Sequence, residues 1–273
     1  MSTQMQRIAP RELTEEERAS FDANGWVRVD RLISEEDAGA LLARLKEKMG
    51  EEGLDEQHPL GPNSSARWRV YAPLSVELRS GAVRDPLYHS LSHSPELGRV
   101  AEGLLGTRGR YWVDQALVKP PAGNDGSGET GWHRDILDQQ RSPFEPSGQV
   151  NIWIALAEVT LAHGAMRFVP AGRLSDEVRE LTKGRPVEES LRDLERRGLV
   201  SEPLHLRPGD ATAHAGATLH CAPPNRTATP RWAYFVSVFP ADSTYTGNEV
   251  WPMAGVEGVE AGRPFPDHRF AVL

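Results

Sequence analysis

The hydrophobic pattern of this chain changes period near residue 110, and that change limits what it can fold into. Before that point, helix starts dominate. Thr14-Glu15-Glu16-Glu17 and Ser34-Glu35-Glu36-Asp37 each set a hydroxyl cap ahead of acidic residues that suit the positive end of a helix. The first predicts a helix to about Asn24-Gly25, and the second carries Ala38, Leu41, Leu42, Leu45 and Met49 on one face until Gly50. Between them Gly25-Trp26-Val27-Arg28-Val29-Asp30 alternates as a short strand, and a third helix is expected at 94–105, capped by Ser94, with Pro95 in its first turn and Gly106 at its end. After residue 110 apolar residues alternate in short runs broken by Gly and Pro. Strands are expected at 111–119, 149–156, 166–169, 203–206, 211–215 and 232–239, with one charged amphipathic helix at 187–197 inserted among them. Helices followed by many short strands predict a mainly β fold with flanking helices, a double-stranded β-helix (jelly-roll, cupin-like) core buttressed by N-terminal helices. A chain of 273 residues is the right length for one such domain: 1–109 mostly helical, 110–240 the jelly-roll core and 241–273 a C-terminal tail.

Composition removes several classes of function. A net charge of −8 argues against nucleic acid or an anionic membrane as partner, since either calls for a basic face. No run of about 18 apolar residues occurs, and the first residues hold no apolar stretch of the kind a secretion signal needs. A cytoplasmic protein acting on a small molecule is the expectation, with oligomeric state left open. The single cysteine, Cys221, excludes an internal disulfide and a Cys-based zinc site, and reads as a small buried residue.

The chemistry centres on Gly131-Trp132-His133-Arg134-Asp135-Ile136. His133 is the only one of nine histidines with Asp two residues on. Residues i and i+2 of an extended segment point to one face, so both side chains can reach one metal ion from the end of a single strand. A third ligand must come from elsewhere, and His220 closes the turn-and-strand segment that begins at Pro208-Gly209; His214 is its rival there. Two imidazoles and a carboxylate form the facial ligand set of non-heme iron(II) oxygenases, which leaves the opposite face of the metal open. Arg231, eleven residues past His220, adds a planar cation suited to the far carboxylate of a dicarboxylate cosubstrate such as 2-oxoglutarate.

At these residues the chain resembles the phytanoyl-CoA dioxygenase family of iron(II)/2-oxoglutarate-dependent oxygenases. The family's distal motif of His, Asn five positions on and Arg about eleven on is matched by His220, Asn225 and Arg231. Its other stretches correspond to Gln115-Ala116-Leu117-Val118-Lys119-Pro120, Val150-Asn151-Ile152-Trp153-Ile154-Ala155-Leu156 and Gly164-Ala165-Met166-Arg167-Phe168-Val169-Pro170. After that last Pro the family usually continues Gly-Ser-His, where this chain has Ala171-Gly172-Arg173, a change away from the ligand set. The hydroxylic residue often found two positions past the distal His is Ala222 here, so Thr218 or Thr227 would have to replace it.

The resemblance implies Fe(II), 2-oxoglutarate and O2 as cofactor and cosubstrates, with His133, Asp135 and His220 on the metal and Arg231 on the cosubstrate. Lys119 and Gln115 would help orient 2-oxoglutarate, Trp153 would wall its pocket, and Asn225 would fix the loop after His220. The reaction is oxidation at a C–H bond, ending in hydroxylation, cyclisation, epimerisation or desaturation; Asp135 fills the position that a halogenase leaves free. Arg outnumbers Lys 27 to 4, a skew typical of GC-rich bacterial genomes, and bacterial members often tailor natural products, so a secondary metabolite, as in antibiotic biosynthesis, is the expected substrate. Two other classes stay open: a cupin-type metal-dependent isomerase or lyase without 2-oxoglutarate, which needs no Arg231, and a non-catalytic binding module. Polar segments at 50–66, 122–130 and 137–147 read as mobile loops, and 137–147 with Arg67, Trp68, Arg69 and Tyr71 reads as a lid.

Overall fold

A computed structural model of the protein describes residues 7–53, 69–71, 73–122, 128–136, 142–248 and 255–273. Helices α1 (Glu15–Asn24), α2 (Glu35–Met49) and α4 (Pro95–Leu105) start where the caps predict: the side chains of Thr14, Ser34 and Ser94 accept from the amides of Glu17, Asp37 and Leu97. Two seven-residue helices, α3 (Pro86–Ser92) and α5 (Asp176–Thr182), are too short to show a period in sequence, though Asp85 and Ser175 cap them. The inserted helix α6 spans Val187–Arg196.

Eleven strands are described: β1 (Trp26–Val29), β2 (Arg69–Tyr71), β3 (Gly109–Lys119), β4 (Thr130–His133), β5 (Phe144–Glu145), β6 (Val150–Ala155), β7 (Arg167–Phe168), β8 (Ala211–Ala215), β9 (His220–Ala222), β10 (Arg231–Pro240) and β11 (Thr244–Tyr245). They form a six-stranded sheet in the order β1-β8-β6-β10-β3-β2, a three-stranded sheet β4-β9-β7 and the pair β11-β5. The paired strands run antiparallel, as a jelly roll requires. The expected strand at 203–206 is reduced to one bridge between Leu206 and Val159, because Pro203 and Pro208 supply no amide hydrogen with which to extend a ladder.

Alternation along the large sheet divides its two faces. Ile152, Ile154, Ala211, Ala213, Trp232, Tyr234 and Val236 point outward and bury the apolar faces of α2 and α4, where Leu41, Leu45 and Leu97 are fully covered. Each such leucine contributes about 1.5–3 kcal/mol. Asn151, Trp153, Thr212, His214, Arg231, Phe235 and Ser237 occupy the alternate, inward positions. The small sheet is backed by α5 and α6, whose Val178, Val187, Leu191 and Leu194 pack with Leu219 and Cys221. Both sheets therefore carry helices outside and face each other across the interior.

One residue breaks the alternation on β3. Ser237 and Val238 pair with Val113 and Tyr111, leaving Trp112 as an extra residue, and this bulge puts both Trp112 and Val113 on the interior side. There Trp112 meets Phe144, Phe239, Phe265 and Phe270. Phe265 and Phe270 thus bring the C-terminal segment into the core, and the Leu273 amide donates to the Gly109 carbonyl at 3.0 Å. Part of the lid expectation is corrected by the same cluster: Ser142 and Phe144 are fully buried, and β5 pairs with β11. Residues 137–141, 123–127 and 54–68, which include Arg67 and Trp68, lie outside the described residues.

Behind the sheet, the buried Asp114 carboxylate accepts from the hydroxyls of Tyr111 (2.7 Å) and Tyr234 (2.6 Å) and from the amides of Leu74 (3.1 Å) and Ser75 (3.1 Å). Burial raises its pKa against the pull of these donors. Asp114→Ala would strand four donors, each costing ~1–3 kcal/mol if left without an acceptor. Urea unfolding should show a loss of about 3 kcal/mol or more; an unchanged midpoint would mean that the four donors find other acceptors.

Candidate metal centre

The end of β4 and the start of β9 bring the two predicted imidazoles together, because His133 and His220 are register partners with ring centroids 4.1 Å apart. Asp135 sits in the bend just past β4, and its Oδ1 lies 3.6 Å from His133 Nε2. One donor atom from each of His133, Asp135 and His220 falls within 4.8 Å of the others, close enough to hold one metal ion. His133 Nδ1 and His220 Nδ1 face the carbonyls of Gly131 (2.8 Å) and Thr218 (3.0 Å), which leaves the Nε2 atoms as donors to a metal. Electrostatics prepares the same set. Burial pushes His220 down to about 3. Burial opposes the charge on Asp135, yet His220, His214 and His133 together outweigh it and hold the carboxyl well below the usual carboxylate range. Two imidazoles and one carboxylate are the donor set that a divalent iron ion takes.

His214, the rival in sequence, has a different place. Its Nε2 is 3.0 Å from Asp135 Oδ2, the carboxylate oxygen that also accepts from Asn151 Nδ2 at 2.6 Å. Because an ionised carboxylate can only accept, Asn151 must offer its amide nitrogen there, so its Oδ1 accepts from Gln149 Nε2 at 2.8 Å. Gln149 Nε2 also donates to Ser237 Oγ at 2.6 Å, which spends both its N–H groups.

The three candidate ligands open into a cavity of about 930 Å³, which Gln115, Trp153 and Arg231 also line. Arg231 is buried at the start of β10, its guanidinium 5.2 Å from the centre of the Trp153 ring, and Nη1 donates to the Gly164 carbonyl. Gly164 adopts φ +72°, and a Cβ there would stand 2.2 Å from the Pro223 carbonyl oxygen, so only glycine lets this turn aim its carbonyl at Arg231. Arg231 Nε is buried without a partner, and no acidic side chain pairs with Arg231 among the described residues. Burial lowers its pKa to about 10, so it remains a cation at neutral pH.

Lys119 is the predicted cosubstrate contact that stands apart. It pairs with Arg231 in the strand register, is fully buried, and its Nζ donates to the carbonyls of Ala222 (3.0 Å) and Pro223 (2.6 Å), behind the cavity wall. Asn225 fixes the loop after His220 by donating to the carbonyls of Lys119 (3.1 Å) and Thr229 (2.8 Å). Neither Thr218 nor Thr227 replaces the hydroxyl missing at Ala222: Thr218 donates to the Gly25 carbonyl at 2.7 Å, and Thr227 to Asn225 Oδ1 at 2.7 Å. Thr130, the register partner of Ala222, does line the cavity. Sequence reasoning missed it and Asn151; a polar residue at an inward position of the otherwise apolar β6 is the signal that marks Asn151.

Residues 21–233 match the family model described as phytanoyl-CoA dioxygenase. The chain belongs to the phytanoyl-CoA dioxygenase family. That family is one of iron(II)/2-oxoglutarate-dependent dioxygenases, and the donor set and the buried Arg231 fit both groups. Among curated proteins, the chain is 28% identical over 140 residues to dioxygenase cdmA of Talaromyces verruculosus, a match covering 50% of this chain and 42% of that one. The chain spans about half the length of the curated relatives it matches. Among solved structures it has the fold of SnoK, a non-heme alpha-ketoglutarate-dependent carbocyclase from nogalamycin biosynthesis, at 23% identity and TM-score 0.68 over 94% of this chain and 95% of that one. SnoN, an epimerase solved with Fe3+, alpha-ketoglutarate and nogalamycin RO, is similar at 24% identity and TM-score 0.67 over 94% and 96% of the two chains. Among the described residues no helix is long and apolar enough to cross a membrane.

Proposed function

We propose that this chain acts as a single iron(II)/2-oxoglutarate-dependent oxygenase domain that oxidises a C–H bond of an uncharged small molecule, a bacterial secondary metabolite. The observation that carries this reading is Arg231, a buried cation without an acidic partner among the described residues, in the same cavity as His133, Asp135 and His220. A jelly roll that worked through a metal ion alone would have no use for it.

In this reading His133, Asp135 and His220 hold iron, and Arg231 pairs with the C5 carboxylate of 2-oxoglutarate. Bound together, iron and 2-oxoglutarate supply the oxidising power to break a C–H bond with O2, releasing succinate and CO2. The protein's own share is placement. Trp153 stacks on Arg231 and restricts its fork to one direction, Gln115 and Thr130 offer hydrogen bonds to the cosubstrate, and Lys119 anchors β9 so that His220 and Ala222 hold their positions.

The rest of the cavity indicates the substrate. Trp112, Val113, Ile136, Pro143 and Phe235 supply apolar walls, and Gln149, Ser237 and Asn248 the polar points. Among the described residues no Lys or Arg other than Arg231 lines it. Gln149, whose N–H groups are both engaged, has only its Oε1 to offer, an acceptor for a substrate hydroxyl or N–H. An oxygenated ring system fits these walls, in keeping with the carbocyclase and epimerase whose fold the chain shares. The buried, lone Cys221 suits a cytoplasmic setting.

The test is Fe(II)-dependent consumption of 2-oxoglutarate with a panel of neutral polyketide, terpenoid and glycoside compounds beside acyl-CoA thioesters. A neutral member should raise consumption and return stoichiometric succinate and oxidised product. Consumption that needs no iron would overturn the reaction class, and preference for an acyl-CoA would overturn the substrate class.

A further inference from the structure

Asn151 and His214 face each other in the register of β6 and β8, both fully covered, at inward positions that line the cavity. Both donate to one atom, Asp135 Oδ2, while Oδ1 is the oxygen on the His133 side. The His214 ring also lies 4.6 Å from that of His220, centre to centre, so this one side chain touches two of the three candidate ligands. Its other nitrogen, Nδ1, is buried without a partner. A histidine that leaves a nitrogen unsatisfied in the interior is a poor choice for packing, which points to its contact with the carboxylate as the reason for its presence.

We propose that Asn151 and His214 are positioning residues that hold Asp135 as a one-oxygen ligand. This rests on the reading of His133, Asp135 and His220 as the metal-binding group. Hydrogen bonds to an ionised carboxylate are about twice as strong as neutral ones, and two of them on Oδ2 keep that oxygen from turning to the metal. If both oxygens bound, the carboxylate would take up a further coordination position, and the open face would be too small for a bidentate cosubstrate together with O2. Gln149 completes the device by fixing the orientation of the Asn151 amide.

The test uses Co(II) as the probe, with affinity by calorimetry and the visible d–d absorption as a report of coordination number, beside thermal unfolding of the metal-free proteins. His214→Phe keeps the ring and loses the donor; His214→Gln keeps a donor at the place of Nε2. Removing such a support typically costs 10–100-fold in metal affinity. His214→Phe and Asn151→Ala should each weaken Co(II) binding at least ~10-fold with a changed d–d spectrum, and His214→Gln should recover most of both. Metal-free His214→Phe should unfold no earlier than wild type, which separates positioning from packing. Wild-type affinity and spectrum in both His214→Phe and Asn151→Ala would overturn the proposal, as would a His214→Gln no better than His214→Phe. Failure of the wild-type protein to bind Co(II) would instead overturn the metal-binding group itself. Should Asn151→Ala fail to fold, Asn151→Ser decides the same question.

Discussion

Replacing any one of His133, Asp135 and His220 with alanine will abolish iron-dependent 2-oxoglutarate turnover and leave a folded protein. The three donors line a cavity, and the Asp135 and His133 side chains are 27% and 40% exposed, so their loss does not open the apolar core between sheet and helices. The chemical loss is large because each supplies one of three protein ligands, and removing Asp135 also leaves His214 and Asn151 without their acceptor. Circular dichroism checks the fold, calorimetry with Fe(II) or Co(II) the metal, and succinate release the reaction. An active His220→Ala beside an inactive His214→Ala would move the ligand set to His214.

Arg231→Ala will raise the 2-oxoglutarate concentration needed for half-maximal turnover by at least ~30-fold, with little change in metal affinity. Truncating one partner of a buried charge pair costs about 2–5 kcal/mol, and every 1.4 kcal/mol is a factor of ten. Arg231→Lys will recover only part of this loss, because a single ammonium cannot keep the bond to the Gly164 carbonyl and stack on Trp153 while it meets both oxygens of a carboxylate. Titration of 2-oxoglutarate against succinate release measures the effect. Unchanged dependence in Arg231→Ala would remove the cation from the cosubstrate site and favour a metal-dependent isomerase or lyase.

The change from helices to short strands near residue 110, the helix caps at Thr14, Ser34 and Ser94, the pair His133 and Asp135 and the offset of Arg231 from His220 were legible in the sequence, because each depends on short-range rules, whereas the choice of His220 over His214 came only from the family resemblance. Hydroxyl and acid at a helix start, alternation on a strand, and His-x-Asp on one face act within a few residues, and the His220-to-Arg231 offset lies within one turn and return of the chain. What only the tertiary structure decided involves partners far apart in sequence. Asp135 meets His214 across 79 positions and Lys119 meets Pro223 across 104, and no local pattern tells a histidine that binds metal from one that holds a ligand's outer oxygen. The bulge at Trp112 likewise arises from the register between β3 and β10, which pairs residues more than a hundred positions apart and brings the C-terminal phenylalanines into the core. Side-chain identity set which chemistry was available, and the packing of two sheets set which atoms of those side chains face one another.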